Sequence, residues 1–376
     1  MSSRQRLVDT LIFGTPDKIP FWPGWPREST LAEWYKQGFP KGKDWYKVLI
    51  GELGLPADAD CSFGWLNPDS QMIPKFEEKI LEHKDGHYIV QDWKGNVCEI
   101  SDQYDLTYLR EAKDFVTRRW IRCPVENRDD WEQMKIRYRI DQDQRVPSNL
   151  TEKAGKIKSK GQIGRISFAG PFWQMREWCG FEGLCMMLID QPDLVAEMAE
   201  FWTDFISGIL DKTISRGFVP DHVTINEDMA YKTKSMISPA MAREFCLPSW
   251  VKWTRRLRSA GCPIIEVDSD GFIGELIPLW IEAGINVCSP IEVAAGCDVA
   301  DFRRQFGRQM AYIGGVDKRI MAKGGKEIQK HLAHLEPIVR DGGYIPACDH
   351  AVPADVSWPK YVEYARLLAK ITGWLP

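Results

Sequence analysis

The sequence predicts an α/β protein of the (β/α)8 TIM-barrel class, with an N-terminal extension and an inserted antiparallel β excursion. Three observations carry that expectation. Short apolar runs recur at 163–169, 223–225, 264–267, 285–288, 310–313 and 344–345, and helical patterns separate most of them. Strand and helix alternating in this way build a parallel sheet. The residues just past those six runs are rich in glycine, acids, cysteine, histidine and arginine, which marks one functional face at the strand C-terminal ends. The third observation is length. A chain of 376 residues can bury one full core, and 1–376 is read as a single unit with two more strands in its N-terminal part.

In chain order, residues 3–13 read as a helix, followed by G-T-P-D-K-I-P-F-W, where Pro16 and Pro20 bracket a turn into extended chain. Helical patterns follow at 30–38 and 43–53. From about 70 to 125 the character changes. Asp85-Gly86 and Lys94-Gly95-Asn96 sit between short alternating segments, a β-meander pattern. W-E-Q-M-K reads as a surface helix. The stretch 192–216 puts Leu194, Met198, Phe201, Phe205, Ile209 and Leu210 on one helical face and stops at Gly217. Ser238 and Pro239 are an N-cap and a first helical proline, and that helix runs toward Gly261 with a kink at Pro248. Helices at 298–306, 326–340 and 358–371 complete the alternation.

Composition excludes several classes. Hydrophobic content of 44% and charged content of 27% are those of a globular protein. A net charge of −4 argues against sequence-independent nucleic-acid binding. No window approaches the ~18 apolar residues of a membrane span. The N-terminus lacks a signal-peptide pattern, so the cytoplasm is the expected location. The ten cysteines include no C-x-x-C pair and are expected to be reduced and mostly buried.

The stretch 263–290 gathers most of the chemistry. Ile264, Ile265 and Val267 make a buried strand, yet Glu266, Asp268 and Asp270 crowd its end before Gly271. Three carboxylates in five residues suit the mouth of a site better than a strand core; capping or a salt bridge is the plainer alternative for Asp268 and Asp270. Other strand ends add Phe172 after Gly170-Pro171, Glu227 beside Asp228, Glu292, Arg319 and the run Cys348-Asp349-His350. Glu227 either serves the site or caps a turn. Arg319 binds a substrate carboxylate or pairs with Asp317. Cys348 is a ligand or a packed thiol, and Asp349 is an available partner to orient His350. Trp22, Trp25, Trp34, Trp45 and Trp65 wedge the core or line an apolar pocket. His83, His87, His331 and His334 are expected on solvated surfaces.

These residues resemble the uroporphyrinogen decarboxylase superfamily, which includes corrinoid-linked methyltransferases. The resemblance spans nearly the whole chain. It rests on the opening R-Q-R-L-V-D-T-L-I-F-G-T-P-D-K-I-P-F, D-S-D-G at 268–271, I-G-G-V-D at 313–317 and G-G-Y-I-P-A-C-D-H at 342–350. It implies a TIM barrel. The decarboxylase branch holds propionates with an R-Q-A-G-R-Y motif. Here the matching region is F-W-P-G-W-P-R-E-S-T, with Arg27 alone, although His350 sits where that branch has its G-H-G histidine. The zinc methyltransferase branch carries H-x-C-G and a distant cysteine. Here those places hold Asp268-Ser269-Asp270-Gly271 and Cys348.

The resemblance therefore implies a methyltransferase that demethylates a methoxylated or N-methylated small molecule and passes the methyl to a corrinoid protein. In that reading Asp268, Asp270 and Cys348 hold zinc, and Asp270, Glu227 and His350 serve catalysis. Arg27, Trp25, Phe172, Glu292 and Arg319 contact substrate. A homodimer is expected from the superfamily's habit. The alternative is a cofactor-free decarboxylase with a strongly basic cleft. A third reading, a non-catalytic corrinoid or tetrapyrrole carrier, would leave the acids dispensable.

Overall fold

The computed structural model describes residues 1–59, 63–106, 108–111 and 116–376. Among the described residues, eleven strands form two sheets. After the short β1 (Phe63–Trp65) come β2 (Lys79–Lys84), β3 (His87–Gln91), β4 (Val97–Ser101) and β5 (Arg118–Arg122). These four make an antiparallel sheet in that order, inside the expected 70–125 excursion. Then β6 (Ile163–Ala169), β7 (His222–Asn226), β8 (Ile264–Asp268), β9 (Val287–Ile291), β10 (Ala311–Val316) and β11 (Tyr344–Cys348) alternate with helices. They extend from β1 as one parallel sheet, β1-β6-β7-β8-β9-β10-β11.

The six regular strands lie within a few residues of their expected places, because each is a β-branched run closed by turn residues. The helices match almost as well. Pro192–Ser215 is continuous, and Ser238 caps Pro239–Phe245 through Met241 N at 3.1 Å. The anticipated kink at Pro248 is a break two residues earlier, at Cys246. The chain leaves one helix at Phe245 and starts another at Leu247, which places Pro248 in the first turn where its missing N–H costs nothing.

Two N-terminal strands were expected, and among the described residues β1 alone joins the parallel sheet. The segment 19–26 runs extended beside β11 without laddering to it. Its ties include a single bridge from Pro26 to Val352 and a bond from Phe21 N to Ala59 O. Pro20, Pro23 and Pro26 remove the donors a ladder needs.

The two ends of the parallel sheet differ. At the strand N-termini, Leu7, Val8 and Leu11 of the Ser3–Leu11 helix pack on Ile163, Ile264, Val287, Ala311 and Ile345. This helix plugs the sheet from below. The opposite end stays open to the strand-end loops, so the fold leaves one place for a site. The antiparallel sheet carries its own small core of Val90, Cys98 and Ile100. No helix among the described residues is long and apolar enough to cross a membrane. Of the cysteines, Cys61 lies outside the described residues; the other nine are unbridged, eight of them buried.

Candidate active site

A strand places alternate residues on one face, and that rule decides which strand-end groups reach the open end. On β8 it turns Glu266 and Asp268 the same way, and Asp270 follows beyond the strand. On β7 it turns Thr224 and Asn226, with Asp228 beyond. These side chains, with Arg165 of β6, Ser289, Cys348, His350 and the indoles of Trp22, Trp25 and Trp173, line a cavity of about 490 Å³ and an adjoining one of about 690 Å³.

Asp268 is the central acid. Its carboxyl makes no hydrogen bond to the described residues, and burial, then the charges of Glu266, Asp270 and Asp228, push it up to about 8 against the pull of Arg165. The shift favours its neutral form. Asp270 is paired with a histidine. Its Oδ2 lies 3.3 Å from His350 Nε2, and that partner raises the pKa of the imidazole. Asp228 is locked beneath them. Its Oδ1 accepts from Asp270 N at 3.0 Å, and Arg176 Nη1 donates to its carbonyl at 2.9 Å. Gly271 closes the turn. At φ +86°, a Cβ there would meet the Ala230 and Tyr231 backbone at 2.6 Å, so the D-S-D-G motif needs its glycine.

Beneath the acids lies an ion network centred on Glu266. Glu266 Oε2 accepts from Arg165 Nη2 at 2.8 Å, His222 Nε2 at 2.7 Å and Thr224 Oγ1 at 2.8 Å, and Oε1 accepts from Ser289 Oγ at 2.5 Å. Burial opposes the charge of Glu266, yet Arg165 and His222 keep its pKa below the ordinary range. The His222 imidazole is sealed in and lowered in pKa by burial.

Several expected site residues lie elsewhere. Glu227 faces away from the cavity, fully buried, accepting from Trp250 Nε1 at 2.6 Å and Trp173 N at 3.1 Å. Burial pushes it up to about 8. Phe172 is in the core, in the first turn of the Pro171–Cys179 helix. Glu292 accepts from Gly271 N at 3.1 Å and from Lys318 Nζ at 3.1 Å, bracing the loop behind the acids. Arg319 is clamped on Asp317 through Nε and Nη2 at 2.8–3.2 Å. Arg27 precedes the Glu28–Lys36 helix and is near enough for its charge to oppose protonation of His350. Trp25 stays 57% exposed at the mouth. His331 is half-buried rather than solvated, accepting from Asp317 N at 3.1 Å.

The expected zinc donors do not assemble. Asp268, Asp270 and Cys348 share the cavity wall, but among the described residues no three His, Cys, Asp or Glu side chains gather closely enough to hold a metal ion. Burial and then Asp349 push the Cys348 thiol up to about 12.

Sequence reading misses Arg165 and Trp173. The signal for Arg165 was present as a cation inside I-G-R-I-S-F-A, a strand otherwise bound for the interior. Trp173 follows Phe172 on a helix, and nothing in the sequence separates the wall from the core there.

An open strand-end cavity lined by acids and indoles, on a parallel α/β sheet, is where folds of this class carry their sites. The chain belongs to the uroporphyrinogen decarboxylase family: the family described as "Uroporphyrinogen decarboxylase (URO-D)" matches residues 121–364. A solved methyltransferase from Methanosarcina mazei aligns with a TM-score of 0.56 and 13% identity, over 99% of this chain and 98% of its own; at that identity the likeness is of fold alone. A B12-independent methionine synthase from Shewanella sp. W3-18-1 aligns with a TM-score of 0.38 and 12% identity, over 61% of this chain and 67% of its own, and that partial likeness carries no argument. No curated protein matches the chain in sequence.

Proposed function

We propose that the chain is a methyltransferase that demethylates a methoxylated or N-methylated small molecule and passes the methyl to a corrinoid presented by a separate protein. The observation that carries this reading is Asp268, a carboxylic acid held neutral to about pH 8 in an indole-lined cavity. Breaking a methyl–oxygen bond is slow because the oxygen leaves as an anion, and a positioned acid removes that charge as it forms. The reduced corrinoid would supply the electron pair that takes up the methyl. On the protein's side, the carbon–oxygen pair goes to the leaving oxygen while the Asp268 proton moves onto it. The Asp270–His350 pair then returns a proton to Asp268. Trp22, Trp25 and Trp173 exclude water and fit an apolar body.

A polycarboxylate fits poorly. It would face Asp228, Asp268 and Asp270 with one guanidinium in the wall, where several bidentate arginines would be needed. Decarboxylation therefore ranks behind demethylation.

The test is transfer to cob(I)alamin from a panel of methoxyaromatics and methylamines, read as methylcobalamin absorbance. Native protein should transfer from at least one donor, with a rate that falls as pH rises through about 8, where Asp268 loses its proton. Asp268→Asn should lower that rate by roughly 10²–10⁴-fold. A native protein inert toward the whole panel sinks the proposal.

A further inference from the structure

Arg165 is a charge where a strand normally carries none. It sits in the third position of β6, 9% exposed, and burying a guanidinium is costly unless its donors are met. Two of its nitrogens are met. Nε and Nη2 donate to Thr224 Oγ1 at 3.0 and 2.7 Å, and Nη2 also donates to Glu266 Oε2 at 2.8 Å. The guanidinium carbon lies 5.0 Å from the Phe63 ring centroid and 4.8 Å from that of Trp65, which fixes the plane of the group. Nη1 makes no hydrogen bond to the described residues and is not among the polar atoms sealed from solvent. The group is thus held on one edge and open on the other.

Its position gives that open edge a direction. The two adjoining cavities share Trp22, Gly24, Trp25, Arg165, Asn226 and Asp268, so Arg165 and Asp268 both stand at their junction. Ser167, two residues along β6 and therefore on the same face, adds a hydroxyl to the wall of the larger cavity.

From this geometry we infer that Arg165 selects a substrate bearing a carboxylate, held by Nη1 in the larger cavity while the methylated atom lies at Asp268. Thr224 and Glu266 are positioning residues that aim the guanidinium. The inference deepens the demethylation reading and rests on the same cavity. It also explains the company Asp268 keeps. A carboxylate at Arg165 cancels the cationic pull on Asp268, so binding the anion keeps the acid protonated for its task. One guanidinium for one carboxylate is in addition compatible with a wall that otherwise carries acids.

The test uses binding alone. Wild-type protein is titrated calorimetrically with 4-methoxybenzoate and with its uncharged analogue 4-methoxybenzamide. The acid should bind at least about tenfold more tightly, the order of one charge-assisted hydrogen bond. Arg165→Gln should bring the ratio near one, and Arg165→Lys should restore part of it. Thr224→Val, which keeps the charge and removes its lateral anchor, should lower the ratio without abolishing it. The inference is overturned if the wild-type ratio is near one, a measurement needing no variant, or if a folded Arg165→Gln retains the wild-type ratio. No methyl acceptor is present, so the two proposals fail separately. Acid preference without any methyl transfer sinks demethylation and leaves Arg165 in place; transfer from neutral ethers with no charge preference sinks the role of Arg165 alone.

Discussion

Glu227 and Asp228 are neighbours in sequence with opposite fates, and the period of two explains why. Asp228 continues the face of Thr224 and Asn226 into the cavity, and Glu227 turns into the layer of helices to receive Trp250 Nε1 and Trp173 N. Its carboxyl belongs to the scaffold. Glu227→Gln keeps an acceptor for one of the two donors and sets its NH2 against the other, so it should cost about 1–3 kcal/mol in urea unfolding. Glu227→Ala strands two buried donors and should cost about 2–4 kcal/mol. The pH dependence follows from the sign of the shift. With a folded pKa of about 8, above the unfolded value, Glu227 contributes stability that is whole at low pH and lost as pH rises through 8. The urea midpoint of Glu227→Gln should therefore fall less between pH 5 and pH 8 than that of the native chain. At this scale the sequence could say that acids cluster at strand ends. It could not say which of two adjacent acids points inward until the register of β7 was known.

At the scale of elements, the six regular strands and their helices were legible because pattern and turn chemistry agree at each one. The eighth place in the sheet was not. Segment 19–26 has the apolar residues of a strand, but three prolines deny it a ladder, and close contact takes over. Gly24, at φ +87°, lies where a Cβ would meet Cys348 Cβ at 2.6 Å. Tyr361 Oη donates to Gly24 O at 2.5 Å and Tyr364 Oη to Pro23 O at 3.1 Å. The segment is thereby pinned, and with it the Trp22 and Trp25 rings. Gly24→Ala should push the segment off β11 and weaken binding of any ligand in the cavity by about tenfold or more, with a smaller change in secondary structure. Titration beside far-UV circular dichroism checks it; unchanged affinity would show that the glycine only eases packing. Phe172 and Arg319 were misplaced for a related reason. Both follow a strand end by a residue or more, where the chain has already turned into a helix, and strand periodicity no longer applies.

Across the whole molecule, stability is divided between two sheets of unequal support. Every residue of β2 is exposed, and the antiparallel sheet rests on three buried side chains, whereas the parallel strands run through a continuous core. Native-state hydrogen exchange should find the amides of 79–101 opening at a free energy well below that of β7 and β8. Equal protection in the two sheets would mean that they open as one unit. The parallel arrangement was written in the alternation of strand and helix; the relative weakness of the antiparallel sheet was not, since composition does not reveal what a strand's outer face will touch. The ties between the segment 19–26 and the far end of the chain have one more consequence. Ile19 N donates to Thr372 O at 3.1 Å, and Trp374 Nε1 donates to Ile19 O at 2.7 Å, so the indole wall is fastened by residues translated more than three hundred codons after it. Until those residues are made, the acids of β8 lack a fastened wall beside them. The indole wall of the cavity is therefore fastened only once residues 372–374 are in place.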